Sequence, residues 1–196
     1  MSYEKLVEKI RKYTEKSVKK SRYEHSVRVA EMCVKICAHY GFDEKKGYLV
    51  GIAHDMCKDL SSSKMMEIAQ RDGNPISDAE KNKPSLLHGR AAAVTMKEKF
   101  GITDEDELEA VAVHTTGKIG MCTLAKVLFL ADKIEPGRPQ TNEQYYSKLF
   151  SLDFDEMFLS VLQENADYLL SKGIATTPED SEVLNYYRSK CSESKN

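Results

Sequence analysis

Apolar residues recur along this chain at intervals of three and four positions, which is the spacing of one face of an α-helix. In the first segment, residues 3–19, Leu6, Ile10 and Tyr13 follow this spacing, with charged residues between them. With glycines as helix ends and serines as caps, the same spacing predicts eight further helical segments. These lie at about 22–40, 43–60, 60–73, 85–101, 103–117, 122–137, 153–172 and 179–191.

The sequence contains no convincing alternation of apolar and polar residues of the kind that marks a strand, and no internal repeat or low-complexity segment. The stretch IEPGRPQTNE, residues 134–143, is typical of an ordered loop rather than of a linker between domains. A chain of 196 residues also suits one domain with a proper core. We therefore predict the all-α fold class, with a single domain over residues 1–196.

The composition excludes several classes of protein. Hydrophobic residues make up 41% and charged residues 31%, which is too polar for a membrane protein. The 29 Lys and Arg residues face 31 Asp and Glu residues, so a broad basic face for a nucleic-acid polymer is not indicated. The five scattered cysteines argue against a disulfide framework, and the N-terminus MSYEKLVEKIRKY is amphipathic rather than signal-like. We expect a cytoplasmic protein that has neither a nucleic-acid polymer nor a membrane as its partner.

Polar residues interrupt the apolar faces of several predicted helices. The stretch GIAHDMCKD, residues 51–59, places His54 and Asp55 side by side inside an apolar, helix-forming run. Asp132 occupies the apolar face of the most hydrophobic helix, where an ionised carboxylate is costly unless a cation or dense hydrogen bonding compensates it. Three histidines share this apolar setting: His25, His88 and His114.

Each of these residues also has an ordinary structural interpretation. A lone histidine on an apolar face is usually a hydrogen-bonded core residue, and Asp132 could pair with Lys133 or Arg138 at a helix end. The joint pattern favours another interpretation, because four of the five histidines and two aspartates fall on the inward side of predicted helices. Imidazole and carboxylate groups together suit a divalent metal such as iron, manganese or zinc. We therefore predict a metal site between core helices, where helical bundles commonly hold one.

The order His25, His54-Asp55, Asp132 resembles the metal ligands of the HD-domain metal-dependent phosphohydrolases. Three motifs extend the likeness over roughly residues 5–190: HDMCKD, LLHGRAAA and VHTTGKIGMCTLAKVLFLADKIEPGR. The last of these closely resembles the YqeK-type subfamily, the symmetrical bis(5'-nucleosyl)-tetraphosphatases, which cleave diadenosine tetraphosphate into two ADP. The resemblance implies an HD-domain helical bundle with a core at about 20–140. C-terminal helices at about 150–191 would complete the nucleotide pocket.

The resemblance also implies roles for individual residues. The ligands of one iron would be His25, His54, Asp55 and Asp132. Asp55 could bridge to a second metal, with His88 and His114 as its further ligands or as direct phosphate contacts. The catalytic residues would be Asp55, Lys58 and Asp132. The substrate would contact His25, His88, His114, Thr115, Asp132, Arg138, Thr177, Pro178, Glu179 and Asp180. At Thr177 the sequence departs from the subfamily, which has a histidine before the proline.

The chemistry of these residue types fits phosphoanhydride hydrolysis, which needs an activated water and neutralised phosphate oxygens. A metal site with an open position supplies both. Arg138 adds a planar fork for a phosphate, next to the turn at Pro136 and Gly137. The sequence has neither a Walker-type glycine loop nor a G-x-S-x-G elbow, so catalysis by a nucleophilic serine has no support.

Three functions are open at this point. The first is symmetrical hydrolysis of diadenosine tetraphosphate, which the HTTG and EPGR motifs favour. The second is another HD-domain nucleotide phosphohydrolase, such as a nucleotidase or a phosphodiesterase. The third is a non-catalytic, metal-containing module that binds a ligand. The expected cofactor is iron, as one or two ions, with manganese or another divalent metal as an alternative. The expected partner is a dinucleoside polyphosphate or a nucleotide, and a homodimer is left open.

Overall fold

The computed structural model describes residues 2–173 and 178–193 and places most of them in α-helices. The helices are α1 (Tyr3–Ser17), α2 (Lys20–Tyr40), α3 (Glu44–Ala53), α4 (Ser62–Ala69), α5 (Asp78–Asn82), α6 (His88–Phe100), α7 (Glu105–Val113), α8 (Thr123–Ile134), α9 (Glu143–Leu149), α10 (Phe154–Ser171) and α11 (Pro178–Glu193). Within these described ranges there is no strand, so the all-α fold class is confirmed. None of the described helices combines the length and the apolar character that crossing a membrane requires.

The ends of the helices follow from local sequence chemistry. Helices α3, α7 and α10 begin after Asp43, Asp104 and Asp153, whose carboxylates accept hydrogen bonds from backbone N–H groups of the first turn. Helices α2 and α6 end at Gly41 and Gly101, which adopt the left-handed backbone conformation with φ of 77° and 70°. A glycine adopts this conformation without a steric cost, so these two helix ends match the prediction.

Helix α3 is shorter than predicted, because it ends at Ala53 rather than near residue 60. The chain then continues in tight turns, in which Met56 N donates to Ala53 O and Lys58 N donates to Asp55 O. Consecutive residues of an α-helix point about 100° apart, so a continued helix would direct His54 and Asp55 to different sides. The turns allow both side chains to be buried at one place.

Two short helices were absent from the prediction. Helix α9 follows the predicted loop at 134–143, and its seven residues bury only Leu149. Helix α5 has five residues and buries none of them. Such short segments give too little periodicity for recognition in a sequence. The predicted helix at 85–101 begins instead with a 3-10 turn at Pro84–Leu87, and its α-helical part starts at His88.

Helix α2 packs against both α3 and α8 and contributes fully buried residues such as Ile36 to the core. Phe129 of α8 is also fully buried. Helices α2 and α3 approach so closely that a Cβ atom added at Gly51 would lie 2.5 Å from the Cα of Ala30. This close contact fixes the end of α3, and therefore the position of His54, against α2.

The C-terminal helix α11 packs against α10 and reaches the loop that follows α7. The ring of Tyr187 in α11 contacts the ring of Phe158 in α10, with 4.8 Å between the ring centroids. The hydroxyl oxygen of Tyr187 accepts a hydrogen bond of 2.8 Å from the backbone N–H of Met121. The end of the chain is thus held next to the loop that begins at His114.

Candidate metal centre

Six side chains that the sequence singled out as metal ligands come from the ends of five helices. Helix α2 carries His25 in its second turn, His54 and Asp55 directly follow α3, His88 is the first residue of α6, His114 directly follows α7, and Asp132 lies in the last turn of α8. All except His25 are buried, with relative exposures of 8% or less. The fold therefore brings together residues that are more than one hundred positions apart in the sequence.

Three of the histidines are held in the same way by the backbone. In each case the Nδ1 atom lies 2.7 Å from the carbonyl oxygen of the residue three positions earlier. The pairs are His54 with Gly51, His88 with Ser85, and His114 with Val111. A carbonyl oxygen only accepts, so each Nδ1 carries the proton and each Nε2 carries a lone pair. Gly51 and Val111 lie in the last turns of α3 and α7, where carbonyl groups have no partner within the helix.

His25 is held by a side chain instead. Its Nδ1 lies 3.2 Å from Glu135 Oε1, so the carboxylate takes the place that a carbonyl has in the other three histidines. Its Nε2 lies 3.1 Å from Asp132 Oδ1. All four imidazoles therefore direct Nε2 towards the aspartates of the cluster. Histidines that bind a metal usually donate their other N–H group to a carboxylate or a carbonyl, as these do.

Asp55 lies between two groups of imidazoles. Its Oδ1 is 3.1 Å from His88 Nε2 and 3.9 Å from His114 Nε2, and its Oδ2 is 3.9 Å from His54 Nε2. Two sets of potential ligand atoms, each within 4.8 Å of one another, share this aspartate: His25 with His54 and Asp55, and Asp55 with His88 and His114. This arrangement is compatible with one metal or with two metals that Asp55 bridges.

The imidazole nitrogens at the centre of the cluster are placed to bind a cation rather than to hydrogen-bond one another. His54 Nε2 is buried and accepts no hydrogen bond within the described part of the chain. The Nε2 atoms of His88 and His114 lie 3.0 Å apart, although each imidazole has its single proton on Nδ1. Burial lowers the pKa of His54 and holds the pKa of His114 well below its usual range, which favours the neutral form that binds metals. A buried lone pair without a donor, as at His54, and two Nε2 atoms in direct contact are arrangements that a metal ion would satisfy.

Positive side chains surround Asp132. Its Oδ2 lies 2.6 Å from Lys133 Nζ, and its Oδ1 accepts a hydrogen bond of 2.8 Å from Arg138 Nη2. Burial alone would raise the pKa of Asp132, but the ammonium of Lys133 and the neighbouring imidazole of His25 hold it well below its usual range. Asp132 is therefore a carboxylate at neutral pH, as a metal ligand must be.

Two further cations lie at Asp55. Lys58 Nζ is 3.0 Å from His88 Nε2 and 3.9 Å from Asp55 Oδ1, and burial lowers its pKa. Arg22 Nη1 donates to Asp55 Oδ2 at 3.2 Å, while its Nε donates to Asp59 Oδ1 at 3.1 Å. Both aspartates of the cluster thus have cations beside them that a polyanionic substrate could contact.

The other predicted site residues fall into two groups. Thr115 lies in the cluster, with its Oγ1 at 3.2 Å from His88 Nε2 and 3.3 Å from His114 Nε2. Thr177 lies outside the described residues. The three residues that follow it belong to the first turn of α11, and their side chains also lie outside the description: Pro178, Glu179 and Asp180.

Two residues of the cluster were missed at the sequence level. Glu135 is buried and accepts hydrogen bonds from His25, from Arg28 and from the backbone of Gly137. A signal for it was present, because residues three positions apart share a helix face and Glu135 follows Asp132 by three. Arg22 precedes His25 by three positions, so the same rule would have indicated it.

Comparison with known proteins agrees with this geometry. The HD-domain family matches residues 22–137, a range that includes all six candidate metal ligands. A Staphylococcus aureus protein named "Bis(5'-nucleosyl)-tetraphosphatase, symmetrical" is 32% identical over 92% of this chain and 94% of its own length. A Bacillus subtilis protein of the same name is 30% identical over 84% of this chain and 88% of its own.

One solved structure has the same architecture. It is a Clostridium acetobutylicum protein described as a "predicted HD superfamily hydrolase involved in NAD metabolism". The two structures superpose with a TM-score of 0.83 and are 31% identical in sequence. The likeness covers 97% of this chain and 98% of the other, so it extends beyond the metal centre to the C-terminal helices.

Proposed function

The chain belongs to the HD-domain family and, within it, to the symmetrical bis(5'-nucleosyl)-tetraphosphatases, and on this basis we propose that it hydrolyses diadenosine tetraphosphate to two ADP. The observation that carries the proposal is the pair of ligand sets that share Asp55, with imidazole lone pairs directed inwards. A closed structural site would use four ligands and leave no open position. The six candidate ligands of this cluster favour an open or dinuclear site, which catalysis needs.

We propose the following roles for the residues around the site. His25, His54, Asp55 and Asp132 would hold the metal, and His88 and His114 would hold a second metal or contact phosphate. A divalent metal bound there would lower the pKa of a water molecule and neutralise phosphate oxygens. The side chains nearest the cluster would then orient the substrate.

Cations and hydrogen-bond donors at the rim would bind the phosphate chain. Arg138 and Lys58 lie beside Asp132 and Asp55, so each would contact phosphate oxygens close to the reacting bond. The hydroxyl of Thr115 lies within 3.3 Å of the Nε2 atoms of both His88 and His114 and could donate to the same oxygens. Nucleotide contacts from Thr177, Pro178, Glu179 and Asp180 stay a prediction.

Iron, as one or two ions, is the metal that we propose. Imidazole and carboxylate ligands also accept manganese and other divalent ions, so the metal has to be identified by analysis of the protein. The five free cysteines favour a reducing compartment and therefore the cytoplasm. Two further predictions concern the organisation of the chain. A single domain over 1–196, whose helices near 150–191 complete the nucleotide pocket, can be tested by limited proteolysis. A homodimer can be tested by light scattering.

The experiment that tests the function is a product analysis. Protein loaded anaerobically with ferrous iron is incubated with diadenosine tetraphosphate, and the nucleotides are separated by ion-exchange chromatography. ADP as the sole product supports the proposal. ATP together with AMP would show that the protein is a hydrolase but would reject symmetrical cleavage. Absence of turnover in protein that holds its metal would reject the proposed function and favour a metal-containing binding module.

A further inference from the structure

Glu135 is a buried carboxylate beside the cluster that has no role in the proposed function. Its side chain is only 3% exposed, and it lies on the far side of His25 from Asp132. Its Oε1 accepts from His25 Nδ1 at 3.2 Å. Its Oε2 accepts from Arg28 Nε at 2.5 Å and from the backbone N–H of Gly137 at 2.6 Å. Both carboxylate oxygens are thus used, and neither contacts the centre of the cluster directly.

His25 differs from the other three histidines in a way that makes this contact important. The side chains of His54, His88 and His114 are at most 2% exposed and are fixed by carbonyl groups of their own helices or turns. The side chain of His25 is 16% exposed, and Glu135 takes the place of the carbonyl. Packing and backbone alone therefore do not determine which nitrogen of His25 carries the proton.

The turn at residues 135–137 is shaped around this carboxylate. A Cβ atom at Gly137 would lie 2.7 Å from Arg28 Nη2 and 2.9 Å from Glu135 Oε2. Any larger residue at 137 would therefore displace either the guanidinium or the carboxylate. The sequence EPG thus supplies the acceptor, a turn and the space for Arg28 in three consecutive residues.

We propose that Glu135 is a positioning residue for the metal centre. By accepting from Nδ1 it holds His25 in the tautomer whose Nε2 can bind a metal, and Arg28 and Gly137 hold Glu135 in place. Carboxylates that orient a metal-binding imidazole in this way raise metal affinity by about 10- to 100-fold. This inference rests on the metal site of the proposed function, but His25 can be tested separately from activity.

The substitution Glu135→Gln separates positioning from packing, because it preserves shape. The glutamine amide has only one oxygen. Arg28 Nε and the N–H of Gly137 both donate at the position of Oε2, so they favour the orientation that places the amide oxygen there. The NH2 group then faces His25, whose Nδ1 must accept and whose proton moves to Nε2. A histidine protonated on Nε2 cannot bind the metal through that atom.

The first measurement is the tautomer of His25, read from nitrogen-15 chemical shifts in metal-free protein. We expect a proton on Nδ1, hydrogen-bonded to Glu135, in the native protein, and loss of that proton in Glu135→Gln, where Nε2 faces Asp132. The native protein needs no variant to fold, so the absence of a proton on Nδ1 there would overturn the inference by itself. This measurement is independent of whether the protein hydrolyses any nucleotide.

The second measurement is metal affinity, from competition with a chromophoric chelator for ferrous iron. We expect Glu135→Gln to bind ferrous iron at least 10-fold more weakly than the native protein, with activity partly recovered at higher iron concentration. Gly137→Ala should also weaken iron binding. Glu31→Gln, on the exposed side of α2, is the matched control and should bind as the native protein does. Native affinity in Glu135→Gln would overturn the inference. Failure of the native protein to bind iron would instead contradict the proposed function.

Discussion

The Nε2 atoms of His88 and His114 face each other at a distance of 3.0 Å, and neither imidazole has a proton to place between them. Both protons are on Nδ1, where each donates to a backbone carbonyl at 2.7 Å. A second proton on His114 would resolve the contact, but burial holds the pKa of His114 well below its usual range. A metal ion that both nitrogens and Asp55 can bind removes the repulsion without a change of protonation.

Binding of a metal should therefore stabilise the fold. At a free metal concentration 100 times the dissociation constant, the free energy of unfolding rises by about 2.7 kcal/mol. For a chain of this size we expect the Tm to rise by roughly 5–10 °C. Differential scanning fluorimetry under anaerobic conditions, with and without ferrous iron, measures the change. A Tm that does not depend on iron, or an increase that a chelator cannot reverse, would contradict the prediction.

Substitution of the shared aspartate should remove metal and activity together. Asp55→Asn keeps the shape of the side chain but removes the negative charge that both ligand sets need. A metal supplies several kcal/mol to such reactions and each 1.4 kcal/mol is about tenfold in rate, so kcat should fall by roughly 10³-fold. Metal content by plasma mass spectrometry should fall in parallel. A variant that retains its iron and its turnover would reject Asp55 as a ligand.

Loss of the arginine beside Asp132 should weaken substrate binding. A hydrogen bond to a charged group contributes about 1.5–3 kcal/mol, so Arg138→Met should raise KM for diadenosine tetraphosphate by roughly 10- to 100-fold. Arg71→Met, which removes an exposed ion pair with Glu98, serves as the matched control and should leave KM unchanged. Steady-state kinetics at saturating metal measure both. An unchanged KM in Arg138→Met would show that Arg138 does not bind the phosphate chain of the substrate.

A buried carboxyl group away from the metal centre should make stability depend on pH. Burial, with Asp104 and Asp43 nearby, raises the pKa of Glu107 from 4.5 to about 7, and Lys46 opposes this shift. A raised pKa in the folded state means that stabilisation is present below pH 4.5 and is lost as the pH rises through about 7. Glu107→Gln should therefore gain stability relative to the native protein between pH 5 and pH 8.

The expected gain for Glu107→Gln is about 2–3 kcal/mol, since each pKa unit corresponds to about 1.4 kcal/mol. Urea unfolding of both proteins at pH 5 and at pH 8 measures it. The prediction fails when the difference in the free energy of unfolding between the two proteins is the same at both pH values. The charges that face Glu107 belong to Lys46 on α3, Asp43 at the N-cap of α3 and Asp104 at the N-cap of α7. The hydroxyl of Tyr3 on α1 is also close.

The sequence allowed the fold class and the convergence of six side chains to be predicted, because polar residues on apolar faces are costly without a partner. His54, Asp55 and Asp132 were recognisable for this reason. The end of α3 was predicted near residue 60 instead of Ala53, because the local sequence continues to favour a helix. The turn after Ala53 is required by the burial of two adjacent polar residues, His54 and Asp55. Tertiary demands of this kind have no local signature.

Glu135 shows a different limit of sequence reasoning. Its spacing of three from Asp132 was a signal, but a glutamate at the end of a helix, followed by proline and glycine, is also typical of a solvent-exposed turn. Its burial depends on Arg28 and His25, which lie more than one hundred residues earlier in the chain. Helix α9 was missed for another reason, since seven residues with one buried side chain carry almost no periodic signal.

The most direct measurement of the central claim is a crystal structure of protein loaded anaerobically with ferrous iron, with an anomalous difference map at the iron edge. We expect at least one peak within coordination distance of His54 Nε2 and Asp55, in the cluster that also contains His25 and Asp132. A second peak between His88 and His114 would establish a dinuclear site bridged by Asp55. An active, iron-containing crystal with its anomalous peak elsewhere and none in this cluster would contradict the account.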